Sequence, residues 1–333
     1  MSYADQMAAV GADADKAIAA KGQTAATTQQ ADAARATGKA ADDALAATQP
    51  PAPSGAFPGD VANGHIRWGI SIPIAGKTGV PYGSHRTYYQ GSAASFASAL
   101  TQIGKDHAAG AVPWVSFKPA SSWQAAAGGN MDSQVDDFFT KVAALSKPVF
   151  VTFGHEPVDV TGKADDSGGA TQHLAWNRRM RARAQAKGAL KNVCLTQIHM
   201  AGCYKKLSNM ASWWDDAVYD LAAVDAYQGS GSMSSQWALG AFFAFLKSQG
   251  QDRWGLGEWG VQDNPAGSGA KNLTDSYSWL LSAPQGMTCV VADYWNSIGA
   301  VVAGTGNWQL TPAQQTAYID CANRASSVGA GQS

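Results

Sequence analysis

The chain has 333 residues, of which 45% are hydrophobic and 15% charged, with a formal net charge of -1. Such a composition supports at least one large core and excludes a disordered or fibrous protein. The near-zero charge argues against a nucleic-acid binder working through bulk positive potential, and no apolar run is long enough to span a bilayer, so no membrane insertion is expected.

Residues 1–49 are dominated by Ala, with Asp, Lys, Gln and Thr between and few large apolar residues beyond Tyr3, Met7, Val10, Ile18 and Leu45. Helix propensity is high, but the apolar stripe is thin. Tyr3, Met7 and Val10 keep an a/d-like spacing for a turn or two. An arm of this kind cannot build a core alone, so it is expected to oligomerise or to attach to a partner. Its polar start lacks the basic head and apolar centre of a secretory signal. Residues 50–63 follow as a Pro/Gly-rich linker: Pro50-Pro51-Ala52-Pro53-Ser54-Gly55, then Pro58-Gly59, cannot continue a helix and read as a semi-rigid spacer.

From 64 to 328 strands alternate with helices. Strands are predicted over 66–72, 86–90, 112–118, 149–155, 193–199, 221–227, 254–259 and 288–295, and helices over 93–107, 133–145, 172–187, 235–248, 274–281 and 311–325. Eight strand–helix units in this length fit an α/β fold, the (β/α)8 TIM barrel. An open doubly wound sheet is the rival, but no GxGxxG or P-loop follows any strand. Residues 329–333 read as a flexible tail.

The cysteines Cys194, Cys203, Cys289 and Cys321 lack the CxxC spacing of a zinc or redox site, so no metal is expected. Cys289 and Cys321 are the pair most compatible with a disulfide. No cofactor is implied, and Asp165-Asp166 reads as a solvated turn.

Polar residues inside barrel strands need a reason, because those strands are covered on both faces. The period of two puts Glu156 on one face with Gly154 and Thr152, and turns Val149, Val151 and Phe153 to the helices. The same alternation pairs Ser116 with Lys118, Gln197 with His199, Asp225 with Tyr227, and Asp293 with Trp295, all near the C-terminal strand ends where barrels build active sites. At the seventh strand the alternation fails: Glu258 shares parity with Trp254 and Leu256, which a bulge would repair. Glu156 closes the fourth strand and Glu258 the seventh, on opposite sides of a closed barrel. Two carboxyl groups about 5 to 5.5 Å apart are what a retaining glycosidase uses, and a water-admitting gap of about 6.5 to 9.5 Å would indicate inversion instead.

Four short elements carry a resemblance. Phe153-Gly154-His155-Glu156, Val224-Asp225-Ala226-Tyr227, Gly257-Glu258-Trp259-Gly260 and Trp295 stand in the order seen in the retaining glycoside hydrolases of the large (β/α)8 clan, and the chain is most similar to glycoside hydrolase family 26, the β-mannanase-like enzymes. The resemblance covers about 64–328. It implies Glu156 as acid/base, Glu258 as nucleophile, Tyr227 hydrogen-bonded to the nucleophile and Trp295 as an aromatic floor under the sugar. His155 is expected to orient the site, with Asp225 beside Tyr227. Trp295, Trp259 and Trp123 are expected to stack on sugar faces, while Lys118 and His199 bind hydroxyls or an anionic substituent. The chain departs from the mannanases after the His-Glu pair, where it has Pro157-Val158-Asp159-Val160 in place of Met-Asn-Gly and an aromatic residue.

The expected function is a retaining endo-glycosidase acting on a cell-surface or cell-wall polysaccharide. The arm and spacer resemble phage tail appendages, which implies a virion tail location, with other tail proteins or further copies of the chain as partners through 1–49. An extracellular enzyme is the alternative location. A non-catalytic carbohydrate-binding or receptor-binding barrel is the alternative function.

Overall fold

A computed structural model describes residues 57–297 and 308–331. The arm expected over 1–49, and residues 50–56 of the linker, lie outside the described residues. Eight strands, β1 (Arg67–Ile70), β2 (Ser84–Gln90), β3 (Val112–Lys118), β4 (Val149–Phe153), β5 (Val193–Met200), β6 (Leu221–Gln228), β7 (Arg253–Val261) and β8 (Thr288–Tyr294), close into a barrel in sequential order. Every neighbouring pair is parallel, including β1 with β8. The connecting helices are α1 (Ala93–Ala109), α2 (Trp123–Ala127), α3 (Asp132–Ala143), α4 (Gly169–Ala186), α5 (Ala201–Lys206), α6 (Leu239–Ser248), α7 (Gly269–Leu281) and α8 (Pro312–Ala322). This is a (β/α)8 barrel, as the alternation of strands and helices predicts. No helix separates β1 from β2, and the short α2 and α5 escape the helical periodicity because they are scarcely two turns long. Among the described residues no helix is long and apolar enough to cross a bilayer.

Sequence chemistry sets the helix ends. The Ser92 hydroxyl accepts from Ser95 N at the start of α1, and Gly110 ends it in the left-handed region at φ +85°. Thr311 and Gln314 form a reciprocal capping box at the start of α8.

Strand alternation divides the core into two. Val151, Phe153, Leu195, Val224, Leu256 and their neighbours face outward and join the helices in one large cluster, while Trp114, Phe150, Ile198, Ala223 and Val291 fill the barrel. Phe117 on β3 illustrates the outer layer, stacked on Phe96 of α1 at 4.4 Å and on Phe153 at 5.6 Å. Truncating a buried Phe of this kind to Ala costs about 3–5 kcal/mol.

Two segments depart from their sequence assignment at the N-terminal end of the barrel. Residues 57–63, assigned to the spacer, pack beneath it: Phe57 and Val61 join the interior cluster, and Asp60 pairs with Arg253 at 3.2 Å. Gly329 and Ala330, assigned to a flexible tail, are packed as well, with Gly329 O accepting from Arg67 Nη1 and Ala330 N donating to Gly110 O at 2.7 Å each. The Arg67 guanidinium is buried among these carbonyls, and burial lowers its pKa to about 10. Cys289 is a free buried thiol, so the disulfide considered for it does not form.

Candidate active site

The C-terminal strand ends gather the polar residues of the barrel. At the end of β4 the chain leaves the sheet through Gly154 at φ +77°, and a Cβ there would come within 2.8 Å of His173 Nε2. His173, on α4, holds this turn through a 3.1 Å hydrogen bond to Gly154 O. Glu156 itself has φ +47°, a conformation that costs a non-glycine residue about 1 kcal/mol or more, and its N–H donates to Ile198 O on β5 at 2.9 Å. The turn thus aims a mostly buried carboxyl into the barrel mouth.

Glu258 reaches the same mouth by a bulge. The β6–β7 register runs Val224 to Leu256 and then Asp225 to Glu258, leaving Gly257 as the extra residue. A Cβ on Gly257 would fall 2.5 Å from Arg86 Nη1 and 2.6 Å from Asp225 Oδ1, so glycine is required for the bulge and for the ion pair beside it. Both Glu258 oxygens accept from phenols: Oε1 from Tyr88 at 2.8 Å and Oε2 from Tyr227 at 2.7 Å.

Arg86 lies at the centre of the barrel, fully buried. Its Nη1 is 3.0 Å from Asp225 Oδ1 and 3.7 Å from Glu258 Oε1, its Nε donates to Ser116 Oγ at 3.3 Å, and its guanidinium lies 4.8 Å from the Tyr88 ring centroid. Asp225 Oδ2 has no donor among the described residues, and the Asp225 and Glu156 carboxyls each influence the ionisation of the other.

The electrostatics follow from this packing. Burial, then the Glu258 charge, push the Glu156 carboxyl up to about 7, against the opposing pull of Arg86 and Lys118. Asp225 is raised well above the carboxylate range by burial, with Arg86 opposing and Glu258 and Glu156 adding. His155 is held well below the usual imidazole range by burial and by Arg86 and Lys118, so it is neutral and orients rather than carries charge. Its ring meets Tyr88 edge-on at 5.4 Å, and Tyr88 meets Trp295 edge-on at 5.6 Å, which strings the three rings across the mouth.

Of the residues singled out from sequence, Glu156, Glu258, His155, Asp225, Tyr227 and Trp295 come together here. Lys118 and Trp123 line a neighbouring cavity of about 230 Å3 with Gln90, Asp165 and Asp166. Trp123 stands in α2 rather than in a loop and is 3% exposed, its ring packed on His173 and Trp213, so little of it remains to stack on a sugar. Asp165-Asp166 is not a bare solvated turn: Asp165 pairs with Lys118 at 2.9 Å, and Asp166 accepts from Trp123 N.

His199 and Trp259 are not brought to the mouth. Thr152 pairs with Thr196 in the β4–β5 register, and both point inward, which turns Gln197 and His199 to the helices. His199 is fully buried against Tyr204 and Trp213, and Gln197 donates to Trp213 O. Trp259, next to Glu258, faces the helix layer and packs on Trp68 and Tyr294 without exposure. Neither side chain can touch a sugar at the mouth.

Sequence reasoning missed Arg86, Tyr88 and Trp308. An arginine in a strand at the parity of Ser84 and Tyr88 was the available signal for the first two. Trp308 packs on the Tyr227 ring at 4.7 Å and covers Gly260. It lies beyond the eighth strand, outside any strand-end pattern.

No protein-family profile matches the chain, and no curated protein matches it by sequence. Solved structures do resemble it. A GH26 β-mannanase from Bacteroides ovatus superposes with a TM-score of 0.52 at 16% identity, over 80% of this chain and 89% of that one. A β-mannanase from a symbiotic protist of the termite Reticulitermes speratus, complexed with a gluco-manno-oligosaccharide, gives 0.52 at 13% identity, over 80% and 89%. At such identities the likeness is one of fold: the chain has a glycosidase-like barrel.

Proposed function

We propose that the chain is a retaining endo-glycosidase that cleaves a cell-surface or cell-wall polysaccharide by double displacement. The observation that carries the proposal is the difference between its two strand-end carboxyls: Glu156, raised to about 7 and able to hold a proton, and Glu258, fixed by two phenolic donors. In the first step a Glu258 oxygen attacks the anomeric carbon while Glu156 gives its proton to the departing glycosidic oxygen, leaving a glycosyl ester on Glu258. In the second, Glu156 takes a proton from water as the water oxygen attacks that carbon, and Glu258 leaves as a carboxylate. Tyr88 and Tyr227 aim the nucleophile, and Trp295 offers its partly exposed ring as a floor for the sugar. No cofactor takes part in this scheme.

The Ala-rich residues 1–49 and the proline spacer support attachment to a larger assembly, and we place the enzyme on a virion tail acting at the host surface. Deleting 1–49 should lower the oligomeric state or prevent incorporation while leaving the barrel folded; unchanged assembly would refute the attachment role.

Reducing-sugar release from a panel of cell-wall and mannan-type polysaccharides, by the wild type and by Glu156→Ala and Glu258→Ala, tests the activity. Hydrolysis lost in both variants is expected. The altered segment Pro157–Val160 favours one other reading, a receptor-binding barrel without turnover. A wild type that binds a polysaccharide without cutting it, with unchanged binding in both variants, would establish that reading instead.

A further inference from the structure

Among the described residues two large apolar side chains are exposed, Ile72 and Trp237, and Trp237 is the more open at 51%. It stands between β6 and α6, in a connection that leaves the C-terminal end of the barrel on the same side as the two glutamates. Its indole rests on α5: a Cβ on Gly202 would come within 3.4 Å of Trp237 Cζ2 and 2.9 Å of Val160 Cγ1. Glycine at 202 therefore makes room for Val160, and the ring lies against the helix beside it with half its surface open to solvent. Val160 belongs to the segment where the chain departs from the mannanase pattern.

Two exposed lysines flank the ring. The ammonium groups of Lys205 and Lys206 lie 5.4 and 5.9 Å from its centroid, and Lys205 Nζ donates to Trp237 O at 3.3 Å. The ion-paired lysines among the described residues are Lys118, Lys141, Lys187 and Lys271, so neither Lys205 nor Lys206 has a carboxylate partner there. Asp159, on the loop that carries Val160, has Oδ1 committed to Thr161 and to Lys163 N within its own turn. An open indole beside two unpaired ammonium groups suits a ligand with an apolar C–H face and carboxylates on its rim.

The position relative to the acid tells which part of a polymer would reach it. The Cys203 thiol of α5, one residue from Gly202, donates to Val158 O at 3.4 Å, two residues beyond Glu156. A general acid protonates the leaving oxygen, so the sugars released in the first step lie on the Glu156 side. We propose that Trp237, Lys205 and Lys206 form a subsite for the leaving-group arm of an anionic polysaccharide, the indole stacking on a sugar face and the ammonium groups binding its carboxylates. This rests on the glycosidase reading and narrows the substrate to a uronate-bearing polymer.

A β-linked mannuronate hexamer and the matching neutral mannose hexamer differ in the C6 carboxylate and serve as probes. Calorimetric titration into full-length Glu258→Ala protein, which cannot turn over, measures binding apart from hydrolysis. The anionic hexamer should bind about tenfold more tightly at low salt, with the gap closing at high salt. Trp237→Ala should weaken both hexamers by about tenfold. The double variant Lys205→Gln/Lys206→Gln should weaken the anionic hexamer alone, and circular dichroism confirms that each variant is folded. Equal affinity for the two hexamers, binding untouched by Trp237→Ala, or no binding of either at millimolar concentration overturns the subsite. Any of these alongside polysaccharide hydrolysis by the wild type leaves the glycosidase standing. Binding as expected with no hydrolysis by the wild type sinks the glycosidase and keeps the anionic site.

Discussion

Replacing Glu156 by Gln should stabilise the protein at alkaline pH and leave its stability nearly unchanged in acid. In the unfolded chain this carboxyl ionises near 4.5, whereas in the barrel it keeps its proton up to about 7, chiefly because it is buried and secondly because Glu258 is near. A folded-state pKa raised in this way gives stability that is complete below 4.5 and is lost as pH rises to about 7 and beyond. At about 1.4 kcal/mol per unit, the shift is worth up to about 3 kcal/mol. Gln has the same shape and no charge to bury, so the variant escapes the loss. Urea denaturation at pH 4 and pH 8 measures it: the midpoints should agree at the lower pH and favour the variant at the higher. A difference that is the same at both values, or a variant less stable at pH 8, would refute the assignment of Glu156 as a carboxyl held against ionisation.

Other expectations rest on single contacts. Tyr88→Phe and Tyr227→Phe each remove one donor to Glu258, and since a hydrogen bond to a charged group is worth about 1.5–3 kcal/mol, each should lower kcat/KM by about 10- to 100-fold with the fold intact. Arg86→Met removes the cation that opposes burial at Asp225 and leaves that buried carboxyl without its donor, and should cost about 1–3 kcal/mol in thermal or chemical unfolding; a variant as stable as the wild type would show that burying the guanidinium costs as much as its contacts return. His199→Phe should leave hydrolysis unchanged and stability equal or higher, because neither ring nitrogen has a partner in its buried site; a fall in polysaccharide affinity would return His199 to the substrate site.

The barrel was legible because each strand announces itself by β-branched and aromatic runs and each long helix by its periodicity. Glu156 lies past the end of β4 and reaches the mouth through the turn at Gly154, whereas at β6 a clean period of two puts Asp225 and Tyr227 on the inward face. At β5 it misled: Gln197 and His199 are polar and near the strand end, but polarity does not say which face a strand presents. Thr196 is equally polar and is the inward residue, bonded to Trp114 and Thr152. At β7 the alternation could not hold, because the Gly257 bulge moves Glu258 inward and leaves Trp259 among the helices. The expectation that Trp259 stacks on sugar followed from its neighbour, and the bulge is the reason that it fails. Arg86 went unread because an arginine in a short strand is usually a solvated edge; its role depends on Asp225 and Glu258, 139 and 172 residues further along the chain.

If Glu156 and Glu258 form a retaining pair, the stereochemistry of the first product reveals it. Proton NMR of a polysaccharide digest, recorded before the released sugar mutarotates, should show the new reducing end with the anomeric configuration of the bond that was cut. Appearance of the opposite anomer first would place a water between the two carboxyls and contradict nucleophilic attack by Glu258.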